Sequence, residues 1–106
     1  MADMETGYLL ARVQLKYGMA ERFNEIMGHL VPILEANGWR LHGAYQTAIG
    51  RLWECWDLWE VPGASGVQSV LAAALRNSEM REWAAQLVEC VEEEELRYVV
   101  KLPYAH

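Results

Sequence analysis

A chain of 106 residues, 53% of them apolar before its 8 glycines are counted, suits one domain. It is too short for a two-domain nucleotide fold or for a (β/α)8 barrel of about 250 residues. Fifteen acidic against nine basic side chains leave a net charge of −6, the wrong sign for a phosphate backbone or an anionic lipid surface, so neither nucleic acid nor membrane is an expected partner.

The N-terminal Met1-Ala2-Asp3-Met4-Glu5 lacks the basic-then-apolar pattern of a signal peptide, and Val70–Leu75 is the longest apolar run. Cys55 and Cys90 make neither a CxxC pair nor a disulfide framework and read as buried small apolar residues, so a reduced, cytoplasmic setting is expected. Tyr8 to Lys16 alternates as a strand, with Leu9, Ala11, Val13 and Leu15 on one face and Tyr8, Leu10, Arg12 and Gln14 on the other. From Met19 the period becomes helical: Phe23, Ile26, Met27, Leu30, Ile33 and Leu34 form one stripe, which Asn37-Gly38 ends. Pro32 deletes one bond of that helix and predicts a kink.

Trp39–Ala48 and Arg51–Val61 read as a hairpin turning at Ile49-Gly50. Its second arm carries large apolar groups on both faces, as a strand covered on both sides would. Val67, Val70, Leu71, Ala74 and Leu75 make a short helix. Ser78 then caps another, on which Met80, Trp83, Leu87 and Val91 share a face. Glu92–Glu95 reads as a solvated helix end before a last strand, Leu96–Leu102. The order β-α-β-β-α(α)-β predicts an α+β, ferredoxin-like domain over residues 1–106, with helices on one face of a four-stranded antiparallel sheet. Average composition is about 45–50% apolar with glycine included, so the apolar surplus is expected on the uncovered face, against another subunit.

Candidate chemistry is sparse. There is no glycine-rich phosphate loop, nucleophile elbow, HExxH or clustered His/Cys spacing, so no cofactor and no metal are expected, and neither His29 nor His106 offers a haem ligand. If Ile49-Gly50 is a two-residue turn, His42 falls opposite Asp57, with Cβ atoms about 4.5–5.5 Å apart. A carboxylate so placed orients an imidazole, making His42 a candidate general base and Asp57 its partner; the alternative is a structural hydrogen bond on the sheet. Trp53 and Trp59 share that face and can stack on a flat substrate. Arg12, Gln14, Tyr45 and Trp56 are the remaining pocket or interface candidates. Arg12 and Gln14, with Tyr45 and Glu54, read chiefly as interface hydrogen bonds or ion pairs, and the five tryptophans as core or dimer anchors.

Gly7-Tyr8-x-Leu10…Leu15-Lys16-x-Gly18 and His29-Leu30-x-Pro32-Ile33-Leu34-Glu35-x-x-Gly38 resemble the opening of NIPSNAP-like domains. The hairpin Leu41-x-Gly43-x-Tyr45-x-Thr47-x-Ile49-Gly50-x-Leu52-x-Glu54, running on to Leu58-Trp59-Glu60, is the nearest match. Glu82-Trp83 and Lys101-Leu102-Pro103-Tyr104 extend the resemblance over about residues 7–104. It implies a homodimeric α/β barrel of undefined biochemical activity. Asp57 stands where the family usually has a histidine, so that histidine's role does not transfer. The expectation is a homodimer with an interior pocket for an apolar or aromatic small molecule. The alternatives are a cofactor-independent enzyme of monooxygenase, cyclase or isomerase type, and a non-catalytic interaction module.

Overall fold

In the computed structural model, which describes residues 7–105, the alternating first segment forms β1 (Gly7–Leu15). The apolar stripe that follows forms α1 (Ala20–Ala36), with Pro32 inside it and Phe23, Ile26, Leu30 and Leu34 buried. The turn at Gly38, where φ is +116°, leads into β2 (Arg40–Gln46). Next come β3 (Glu54–Val61), α2 (Ala64–Ala74), α3 (Ser78–Val88) and β4 (Val91–Val99). All neighbouring strands run antiparallel in the spatial order β2-β3-β1-β4, the ferredoxin-like arrangement. The readings on Met1–Glu5 and His106 lie outside the described residues.

The helices cover one face. There Ile26, Leu30 and Leu34 of α1, Val70 and Ala74 of α2 and Met80 of α3 cluster with Leu9, Trp59 and Val61 of the sheet. Phe23 joins Val13 and Leu15 in an adjoining cluster. Burying each Val, Leu, Ile, Phe or Met among them contributes about 1.5–3 kcal/mol before chain entropy is charged against it. No helix of the described residues is long and apolar enough to cross a membrane.

Four details depart from the sequence expectation. The hairpin does not turn at Ile49-Gly50: strand pairing stops at Gln46 opposite Cys55, and seven residues, Thr47–Trp53, make the connection. Trp53 closes this loop in a left-handed conformation, φ 59°, and its carbonyl accepts from Leu15 N at 2.8 Å. The third helix is capped by Asn77 rather than Ser78, its side chain accepting from the backbone N–H groups of Glu79 and Met80. Finally, Glu92–Glu95 lies within β4, and Val100–Leu102 lies beyond its end. Pairing with β1 overrides the low strand propensity of glutamate, because Arg12 stands next to two of the carboxylates.

Candidate functional site

Strand register decides which side chains meet. Asp57 pairs with Ala44 on β2 and Ala11 on β1, and Ala11 pairs onward with Leu96 on β4. This row faces the helices. His42 is the extra residue of a β-bulge between Leu41 and Gly43, so it is not opposite Asp57. It lies on the uncovered face, where Nε2 meets Glu60 Oε1 at 2.6 Å and the ring stands edge-on to Tyr8. The expected His42–Asp57 pair is therefore absent, because the longer loop and the bulge shift the register that a two-residue turn would set.

The predicted polar groups Arg12 and Gln14 gather with Trp56 on the uncovered face. Arg12 Nε donates to Glu54 Oε2 at 2.5 Å, Nη1 to Glu93 Oε1 at 2.8 Å and Nη2 to Gln14 Oε1 at 3.1 Å, and Glu95 is 3.7 Å away. Gln14 Nε2 donates to the carbonyls of Leu52 and Trp53, holding the strained end of the loop. Thr47 Oγ1 donates to Glu54 Oε1 and accepts from Trp56 Nε1. The Thr47 hydroxyl, then the Arg12 guanidinium, hold the Glu54 carboxyl below its ordinary range. Tyr45, paired with Trp56, is largely exposed, its ring lying over Gly43, where a side chain would collide with it. Every buried polar side-chain atom of this cluster has a partner, which suits an architectural role.

The helix-covered face holds a different arrangement. An apolar cavity of about 210 Å³ lies between sheet and helices, lined by Ala11, Phe23, Met27, Trp59 and Leu87, with Asp57 and Glu94 as its ionisable groups. Ala11 and Ala44 explain the space beside Asp57: a methyl on each flanking strand leaves room that a larger side chain would fill. A second void runs between α1 and β2, and Phe23, Met27 and Asp57 line both. Asp57 is buried and forms neither a hydrogen bond nor an ion pair among the described residues. Burial, and then the charge of Glu94, push its pKa from 3.8 up to about 6. Glu94 is exposed at the cavity rim, and partial desolvation there pushes its carboxyl up as well. An unpaired carboxylate in an apolar cavity can accept a hydrogen bond or a proton from a guest, near neutral pH.

Of the predicted tryptophans, Trp59 lines this cavity and Trp56 belongs to the open-face network. Trp53 sits in the loop against Tyr17. His29 stacks on Trp83, ring centroids 4.0 Å apart, as a helix-flank residue. Cys90 is buried as expected, whereas Cys55 is half-buried, its thiol pushed up chiefly by desolvation. The sequence reading missed Glu94 and the alanines around Asp57. Strand parity through Glu92–Glu95 is the signal for Glu94: with Glu93 and Glu95 turned to Arg12, Glu94 takes the opposite face.

The NIPSNAP family model matches residues 8–106. No curated protein matches the chain. A crystal structure of a NIPSNAP family protein of unknown function from Agrobacterium tumefaciens superposes with a TM-score of 0.85 at 14% identity, covering 96% of this chain and 93% of that one. An uncharacterised NIPSNAP domain protein from Burkholderia xenovorans gives 0.83 at 15% identity, covering 94% and 98%. A conserved protein of unknown function from Bacteroides thetaiotaomicron, described as a possible oxidoreductase, gives 0.66 at 16% identity, covering 90% and 96%. At these identities the likeness is one of fold.

Proposed function

This chain belongs to the NIPSNAP family, and we propose that it is a homodimeric protein whose subunits each bind a small apolar or aromatic molecule between sheet and helices. The observation that carries this reading is the apolar cavity with a largely buried carboxylate, Asp57, in its wall, unpaired among the described residues. Ligand sites combine apolar lining with a few polar groups that fix orientation, and this cavity has that composition. The pocket belongs to one subunit and lies on the opposite face from the one expected, so a dimer contact on the uncovered face would not enclose it.

Dimerisation would use the uncovered face. Leu10, Trp56, Leu58 and Val99 lie there without a helix over them, and acidic and basic groups alternate among them. A second copy presents the same mixed surface to itself, as a two-fold interface requires. The mass in solution tests this part: light scattering at micromolar concentration is expected to give a dimer, and a monomer contradicts it.

For the cavity, an aromatic probe such as benzyl alcohol is expected to shift the NMR signals of Phe23, Met27 and Trp59. Ala11→Leu is expected to fill the void and abolish those shifts while leaving the protein folded. Shifts that persist in Ala11→Leu, or none in the wild type, contradict the reading. A second reading, favoured by the Asp57 pKa near 6, is cofactor-independent proton transfer with Asp57 as general base. His42 has no part in it, since it lies on the other face.

A further inference from the structure

The cavity lining is one-sided in charge. Asp57 and Glu94 carry the only ionisable side chains in it, and no Lys, Arg or His lines it among the described residues. Asp57 is 7% exposed, and Ala44 and Ala11 beside it can offer no side-chain donor. A carboxylate largely withdrawn from water without a donor is costly, and the exposed Glu94 at the cavity rim adds repulsion. An occupant that brings positive charge relieves both costs, whereas an anionic occupant aggravates both. The rest of the wall suits a hydrocarbon, and its aromatic members, Phe23 and Trp59, also favour a cation near their ring faces.

Size narrows the class further. An engineered apolar cavity of about 150 Å³ holds benzene, and this one measures about 210 Å³. A single ring with a short arm fits that space. We infer that the occupant is a small apolar amine bound as its ammonium ion, its nitrogen on Asp57 and its hydrocarbon against Phe23, Met27 and Trp59. The inference rests on the cavity being a ligand site, as proposed above, and adds the charge and size of the ligand.

Calorimetric titration with benzylammonium, benzyl alcohol and benzoate at neutral pH separates the two claims, using wild-type protein and Asp57→Asn. Benzylammonium is expected to bind about tenfold or more tighter than benzyl alcohol, with benzoate weakest, as a charge-assisted hydrogen bond requires. In Asp57→Asn the ammonium is expected to lose that advantage while the alcohol keeps its affinity. The wild-type ranking stands as a test even if the variant does not fold. If the alcohol or benzoate equals or exceeds the ammonium, or if the ammonium keeps its advantage in Asp57→Asn, the amine assignment is overturned while the ligand site survives. If none of the three binds, both the assignment and the proposed function fall.

Discussion

On the open face of the sheet, Glu54 is 8% exposed and sits among donors from Thr47 and Arg12; on the helix-covered face, Asp57 is 7% exposed and has no donor among the described residues. Their exposure is alike, but Asp57 lies under the helices and Glu54 on the open face, and only Glu54 has partners. The two carboxyls accordingly move in opposite directions, Glu54 down and Asp57 up to about 6. A carboxylate held among donors stabilises the fold and leaves no group free for chemistry. One buried without them weakens the fold and stays available to a guest. Depth and partner set together separate the two sites: desolvation dominates at Asp57, donated hydrogen bonds at Glu54.

The comparison predicts opposite signs for substitutions on the two faces. Arg12→Met is expected to do the most damage, because it takes a donor from both Glu54 and Gln14 and leaves Glu93 and Glu95 without their shared cation. Thermal unfolding is expected to show the largest loss of Tm among these variants; a Tm equal to wild type would remove the architectural reading of the open face. Asp57→Asn is expected to stabilise the ligand-free protein at neutral pH. A folded-state pKa of about 6 against an ordinary 3.8 corresponds to about 3 kcal/mol.

The sign follows from proton counting. Between pH 3.8 and about 6 the folded protein holds a proton on Asp57 that the unfolded chain has released, so this group's contribution to stability falls as pH rises and is fully lost above about 6. Glu94, also raised by partial desolvation, acts in the same direction. Glu54 acts in the reverse direction, its contribution being present above the ordinary carboxylate range and lost on acidification. Urea denaturation of wild type and Asp57→Asn across this range isolates the Asp57 part, as the difference between the two curves. The smallest effect is expected from Thr47→Val, which removes one donor from Glu54 and one acceptor from Trp56. A loss of about 1–2 kcal/mol in urea denaturation is expected. No loss would mean that Thr47 is dispensable to the network.

Periodicity made most of the fold legible. The strict alternation of Leu9, Ala11, Val13 and Leu15, and the helical stripe from Phe23 to Leu34, each admit one solution, and both elements form where expected. Register across the hairpin was less accessible. Ile49-Gly50 looks like a tight turn, but a seven-residue loop held by Gln14 and a bulge at His42 replace it, and both depend on contacts distant in sequence. One unpredicted bulge is enough to move His42 to the other face from Asp57. The acidic run was hidden for a similar reason. Four consecutive glutamates suit a strand here because Arg12, some eighty residues away, takes up two of them. Asp57 was singled out for a pairing with His42 that the register does not make; its room beside Ala11 and Ala44 emerges only when three strands are aligned.

A carbon-detected NMR titration of the Asp57 side-chain carboxyl tests most directly whether the helix-covered face holds a buried, unpaired acid. The account predicts a midpoint near 6, falling when benzylammonium is added. A midpoint near the ordinary 3.8 in the free protein would mean that Asp57 is solvated or paired, and would contradict it.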